Sequence, residues 1–238
     1  IRFFFAAFER QTPGGGFAPV SDLPWPAIIG IISAITMTLG NLTAIVQSNL
    51  KRLLAYSSIA HAGYLLMGLA AASTAGVQSI LIYLIIYVLM NVGAFLVVIA
   101  VSRVTGGEDI KDFRGLGARA PIAAMALVIF LFSLTGIPPF AGFAGKYLIF
   151  AAVVQKGGFW NVLLAVIGVL NSAVSLFYYA RIIKAMYLED ALDERPLPLP
   201  AIYTGVLVAL AVPIIALGVY WAPLVRWASS AFGGGSIL

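Results

Sequence analysis

The chain has 238 residues, 62% of them apolar and only 10% charged, whereas a soluble globular domain carries about 45–50% apolar and about 25% charged residues. With no Cys and a single His, disulfide frameworks, zinc ribbons, thiolate-held iron–sulfur clusters and imidazole clusters are all excluded. The net charge of +5, from 14 basic and 9 acidic residues, is assigned to the loop topology of a membrane chain rather than to nucleic acid.

A membrane-spanning helix needs about 20 mostly apolar residues, and six stretches qualify. Residues 1–8 come first and read as the tail of a preceding span ending at Glu9 and Arg10. Pro13, Gly14-Gly15-Gly16, Pro19, Pro24 and Pro26 then predict an irregular connection. Gly14-Gly15-Gly16 has neither the preceding strand nor the Lys-Ser/Thr of a phosphate loop. The spans run from about Trp25 to Val46, Leu53 to Ala72, Gln78 to Ser102, Pro121 to Val154, Phe159 to Tyr187 and Ala201 to Trp221. Without an initiator Met or a secretory pattern, the chain is expected to be part of a longer polytopic protein. Its expected units are residues 1–24 (helix end and outer loop), 25–221 (the transmembrane bundle) and 222–238 (a tail, frayed at Phe232 to Gly235).

Three loops are basic. They carry Lys51 and Arg52; Arg103, Lys111, Arg114 and Arg119; and Arg181, Lys184 and Arg195. The opposite loops, near Ser73 and Gly157, carry only Lys156. The positive-inside rule therefore puts the basic loops in the cytoplasm and the C-terminus outside, with Trp25, Trp160 and Trp221 as an outer aromatic belt. The acidic run Glu189 to Glu194, followed by Arg195 and prolines 196, 198 and 200, reads as a plain solvated, extended connection.

An ionisable group at bilayer depth costs at least about 2.5–3.5 kcal/mol and is a functional candidate by default. Lys146 is one, deep in the fourth stretch, and His61 is the other, midway along the second. At about 34 residues the fourth stretch is too long for one straight span. Pro138 and Pro139 remove two backbone donors, so a continuous helix cannot pass; Gly136, Gly142 and Gly145 add backbone freedom. This is the pattern of a discontinuous membrane helix, whose freed polar groups must be buried in protein or line a hydrated cavity. Desolvation opposes the charged form of a Lys there, while water, carboxylates or free carbonyls favour it. An amine balanced between these terms can take up and release a proton; the alternative is a snorkelling or ion-paired structural Lys.

Ser57, His61, Tyr64 and Gly68 fall on one face of the second span at i, i+4, i+7 and i+11. His61 reads equally as a proton relay or as a hydrogen-bonded interior group. Tyr83, Tyr87 and Asn91 share a face of span three, and Asn171, Ser175 and Tyr178 one of span five; interhelical hydrogen bonds and a hydrated path explain either stripe. Gly40, Gly93 and Gly168 mark close helix contacts, and Lys51 reads chiefly as an interfacial anchor.

The run Asn49-Leu50-Lys51-Arg52-Leu53-Leu54-Ala55-Tyr56-Ser57-Ser58-Ile59-Ala60-His61-Ala62-Gly63-Tyr64, with the Gly136-to-Lys146 segment, resembles the antiporter-like membrane subunits of respiratory complex I, the NADH–quinone oxidoreductase. Asp109 to Leu116 resembles the family's loop before its broken helix. Ala55 to Leu66, with Lys rather than Glu at 146, is nearest the subunit N branch.

The resemblance implies an all-α, polytopic membrane helix bundle: the second of two inverted repeats, with one discontinuous helix, plus the family's last helix. It implies that Lys146 and His61 transfer protons, with Ser57, Tyr64, Pro138, Pro139 and Lys51 in support. The first-repeat Glu and lysines of the family have no counterpart and would lie upstream of Ile1. The implied function is proton translocation coupled to quinone reduction, in a bacterial plasma (inner) membrane. No cofactor or metal is expected in this chain; NAD, FMN, iron–sulfur clusters and quinone belong to partner subunits or their interfaces. The implied partners are a neighbouring antiporter-like subunit, small membrane subunits and the lipid bilayer, with no nucleic acid. The alternatives are a cation/proton antiporter or membrane-bound hydrogenase subunit, and a non-transporting membrane scaffold.

Overall fold

The computed structural model describes residues 9–11, 17–19, 24–191 and 193–231. Glu9–Gln11 (β1) and Phe17–Pro19 (β2) form a short antiparallel pair in the register Glu9 opposite Pro19. Eight helices of ten or more residues follow among the described residues: α1 Trp25–Ile45, α2 Leu50–Ala70, α3 Thr74–Thr105, α4 Pro121–Thr135, α5 Ala141–Lys156, α6 Phe159–Leu188, α7 Ala201–Val219 and α8 Ala222–Ala231, with single turns at Ile110–Phe113 and Leu116–Arg119 between α3 and α4. Among the described residues, α1, α2, α3, α6 and α7 are long and apolar enough to cross a membrane. α4 and α5, with 15 and 16 residues, are each too short alone and together make the discontinuous span. The fold is an all-α polytopic membrane bundle.

Local chemistry sets the boundaries. Pro26 and Pro121 sit in first turns, where their missing N–H costs nothing. The Asn49 side chain caps α2 by accepting from Arg52 N at 3.0 Å, and Ser73 caps α3 by accepting from Gly76 N at 3.1 Å. Small residues then let helices approach closely, the usual device where lipid gives no hydrophobic drive. A Cβ on Gly40 would lie 2.6 Å from Ala60 N, and one on Gly93 would lie 2.4 Å from the Phe130 ring. Ser33 Oγ adds a bond across α1 and α2 to Gly63 O at 2.7 Å. The outward faces, with Ile31 and Leu39 of α1 and Phe177 of α6, stay apolar and exposed, as lipid contact requires.

The basic loops meet at one end. Leu50 N donates to Glu108 O and Ile110 N to Ser48 O, both within 2.9 Å. The Lys51 ammonium bonds the Glu108 carboxylate and, with the Asn49 amide, holds it below the usual carboxylate range.

Four sequence readings need correcting. Residues 9–11 and 17–19 are a hairpin rather than an irregular connection, so a strand does precede Gly14-Gly15-Gly16; the glycines themselves lie outside the described residues, as do residues 1–8 and the segment from Phe232. Trp25 is not a belt residue: it is buried against Leu69, Val77 and Ile80, while Trp160 is exposed. The acidic connection is not simply solvated. Glu189 pairs with Arg114 at 2.7 Å and Lys184 at 3.4 Å, and Leu197 N donates to Arg119 O. Residues 222–231 form the amphipathic helix α8, with Leu224 and Val225 packed on the core and Arg226 and Trp227 exposed.

Candidate functional site

The site begins with two missing protons. In an unbroken helix the N–H of residue 138 would donate to Leu134 O and that of residue 139 to Thr135 O. Both positions are proline, so both carbonyls lose their donors. Gly136 ends α4 at φ +89°, a left-handed conformation that a residue without Cβ adopts freely. Its N–H and that of Ile137 fold back to Phe132 O at 3.0 and 3.1 Å, leaving Leu134 O and Thr135 O free. The chain re-enters helix at Ala141. Gly142 N is tied to Ser133 Oγ at 3.0 Å, and a Cβ on Gly142 would fall 1.7 Å from Ser133 O. α7 covers the break with Gly218, where a Cβ would lie 1.9 Å from Pro139 O.

Lys146 fills the vacancy that the prolines create. Its Nζ donates to Leu134 O and Thr135 O, both at 2.9 Å, and reaches Ser172 Oγ on α6 at 2.9 Å. The amine also stands 4.4 Å from the centroid of the Tyr64 ring, and the residue is 3% exposed. An ammonium has three N–H donors, and three acceptors meet it. Hydrogen bonds to a charged group contribute about 1.5–3 kcal/mol each. Three such bonds, a cation–π contact and the negative end of the α4 dipole oppose the cost of burying the charge.

A polar cluster surrounds the amine. Tyr64 OH lies 3.1 Å from Ser172 Oγ and 3.2 Å from Gly168 O. His61 Nδ1 bonds the Tyr83 hydroxyl, and the His61 ring sits 5.8 Å from that of Tyr64 and 5.2 Å from that of Tyr87. Tyr178 OH donates to Asn41 Oδ1 at 2.9 Å, and Asn41 Nδ2 donates to Asn171 Oδ1 at 2.9 Å. Ser57 bonds the Tyr179 hydroxyl. Among the described residues, no three His, Cys, Asp or Glu side chains come together as metal ligands would.

A buried amine thus rests on the two orphaned carbonyls of a broken span. Residues 16–172 match the family model described as NADH:quinone oxidoreductase/Mrp antiporter, TM. The chain belongs to this family.

Its relatives include NADH-quinone oxidoreductase subunit N of Anaeromyxobacter sp. (strain Fw109-5), 54% identical over 95% of this chain and 45% of that protein. Subunit N 2 of Sorangium cellulosum (strain So ce56) is 50% identical over 94% and 44%. The chain thus spans about half the length of the curated relatives it matches. Respiratory complex I from Thermus thermophilus with bound aureothin contains a chain that superposes with a TM-score of 0.73 at 34% identity, over 88% of this chain and 46% of that one. The Mrp complex from Dietzia sp. DQ12-45-1b gives a TM-score of 0.80 at 21% identity, over 89% and 47%, a likeness of fold.

Within this family member the residues singled out from sequence divide into two groups. Lys146, Tyr64 and His61 sit in one cluster, and Pro138 and Pro139 build its floor. Ser57 lies one turn of α2 away on Tyr179, and Lys51 lies at the loop end, part-exposed on Glu108. Sequence reading missed Ser172, among the described residues the one side chain that hydrogen-bonds Lys146 directly. Its signal was present in the spacing Ser172, Ser175, Tyr179 (i, i+3, i+7), adjacent to the stripe that was noticed.

Proposed function

We propose that this chain is a proton-translocating membrane subunit of a NADH–quinone oxidoreductase and that Lys146 is its proton carrier. The observation that carries the reading is the Lys146 amine held on the two carbonyls that Pro138 and Pro139 leave unbonded. Named relatives at 54% and 50% identity support the enzyme assignment over a cation antiporter.

Ser172 gives the amine a way to change state in place. A hydroxyl both donates and accepts. Ser172 Oγ accepts from the ammonium; once the proton leaves, the same hydroxyl donates to the free amine, and Tyr64 OH supplies the next link. His61, beside Tyr64 and bonded to Tyr83, connects this cluster to the neighbouring repeat. Energy from quinone reduction on partner subunits would alter charge and hydration near the amine and so load or unload it. NAD, FMN, iron–sulfur clusters and the quinone belong to those partners in this reading. The basic loops face the cytoplasm of a bacterial plasma membrane and the C-terminus lies outside.

In membrane vesicles carrying the assembled complex, Lys146→Ala should remove or strongly reduce proton pumping while the complex still assembles. The readout is the proton-to-electron ratio during NADH oxidation. A normal ratio in this variant, or in Lys146→Met, would instead leave the chain a scaffold.

A further inference from the structure

At the end of the bundle that carries the basic loops, a cleft of about 320 Å³ opens between the end of α1, the single turn Ile110–Phe113 and the loop end of α6. Its volume is about ten times that of a water in the liquid. The wall carries three cations, Lys111, Arg114 and Arg181, against two carboxylates, Asp109 and Glu189.

The carboxylates are already engaged. Glu189 pairs with Arg114 at 2.7 Å and, through its other oxygen, with Lys184 at 3.4 Å; Asp109 lies 3.9 Å from Lys111. Arg181 differs. Among the described residues no carboxylate stands within ion-pair distance of it. Its guanidinium donates to Ile45 O at 3.0 Å and to Gln47 O, which are neutral acceptors, and its Nε is buried without a hydrogen-bond partner. The charge, permanent in a guanidinium, is left without a counter-charge. By covering carbonyls at the end of α1, Arg181 also masks the negative end of that helix's dipole and turns the cleft positive.

The cleft lies where lipid meets water. Ile35, Leu39, Leu42 and Val46 form an exposed apolar stripe along one face of α1. Val46, at the loop end of the stripe and 75% exposed, is also part of the cleft wall. On the water side, the Lys111 and Lys184 side chains are each 63% exposed. A ligand that uses both features has an anionic head and an apolar tail, and basic pockets between membrane helices bind anionic lipid head groups. A soluble phosphate matches the charge and leaves the stripe unused.

We propose that this cleft binds the head group of an anionic phospholipid, with the phosphodiester between Arg181 and Lys111 and the acyl chains along the Ile35-to-Val46 face of α1. Such a site is independent of the role of Lys146.

The test uses the assembled complex in phosphatidylcholine nanodiscs that contain phosphatidylglycerol with a photoreactive head group. Peptides labelled on irradiation are read by mass spectrometry. Label should fall on residues 45–48 and 109–114, and unlabelled phosphatidylglycerol should displace it where added phosphatidylcholine does not. Arg181→Gln keeps an amide donor for the α1 carbonyls and removes the charge; it should lower the label about tenfold or more, as loss of a charge-assisted hydrogen bond does. Glu189→Gln removes a carboxylate from the wall and should raise the label, an effect that local disorder does not produce. Unchanged label in Arg181→Gln, no rise in Glu189→Gln, or equal displacement by phosphatidylcholine would overturn the site. Displacement by millimolar inorganic phosphate as effective as by phosphatidylglycerol would assign the cleft to a soluble anion and overturn the lipid reading. If Arg181→Gln does not assemble, Lys111→Gln decides at an exposed side chain: a loss of roughly fivefold is expected, and unaltered label overturns the proposal.

Discussion

Proline interrupts the bundle in two places, and only one interruption makes a site. Pro213 lies inside α7, yet the helix runs unbroken from Ala201 to Val219. Pro138 and Pro139 end α4 outright. A single proline removes one donor, here the partner of Ala209 O, and the turns on either side still hold the helix together. Two adjacent prolines remove consecutive donors, and Gly136 beside them lets the backbone turn to φ +89°. The surroundings complete the difference. Ala209 is on an exposed face, whereas Leu134 O and Thr135 O look inward and meet an amine. Under the proposed carrier role, a helix break matters where its freed carbonyls are both buried and paired with a titratable donor, as at Lys146.

The strongest way to break this contrast is to give the carbonyls their helical donors back. In Pro138→Ala combined with Pro139→Ala, each replacement relieves about 3 kcal/mol of helix-breaking cost. New backbone N–H groups then compete with Lys146 for Leu134 O and Thr135 O. Proton pumping should fall to the level of Lys146→Met although Lys146 is still present, with assembly intact on native gels. Full pumping in the double variant would show that the orphaned carbonyls do not matter.

A smaller effect is expected at Ser172. Ser172→Ala leaves the buried ammonium with one N–H unpaired, at about 1–3 kcal/mol, and removes the hydroxyl that reverses direction. Turnover should slow roughly fivefold to a hundredfold by the same arithmetic, and Ser172→Thr should recover most of it. An alanine variant with unaltered turnover would mean that the two carbonyls alone serve the amine.

Parts of this arrangement were legible in the sequence because their causes are local. Length and hydropathy marked six spans, since lipid forces each backbone to satisfy itself within its own helix. The break was legible because two prolines act on their own helix whatever surrounds them. The partners of Lys146 were not. Ser172 is brought to the amine by the packing of α6, and a serine in an apolar helix looks alike whether it faces lipid, a backbone carbonyl or an ammonium. Trp25 misled for the same reason: a span-end Trp reads as a belt residue until a neighbouring helix covers it. α8 was missed because a ten-residue helix lying against the bundle has too few turns to stand out from a polar tail.

The mildest test lies at Pro213. If one proline in a membrane helix is only a local adjustment, Pro213→Ala should leave the proton-to-electron ratio untouched. The intrinsic preference of about 3 kcal/mol for Ala over Pro in a helix interior should appear only in small part, because neighbouring groups and local adjustments already re-satisfy the backbone in a membrane helix. The thermal transition should therefore stay level or rise modestly, by about 1 kcal/mol or less in stability. A lost ratio at this position would place α7 in the coupling machinery. It would point to the contact of Gly218 with Pro139 O, five residues along the same helix, as the link by which a change in α7 reaches the break.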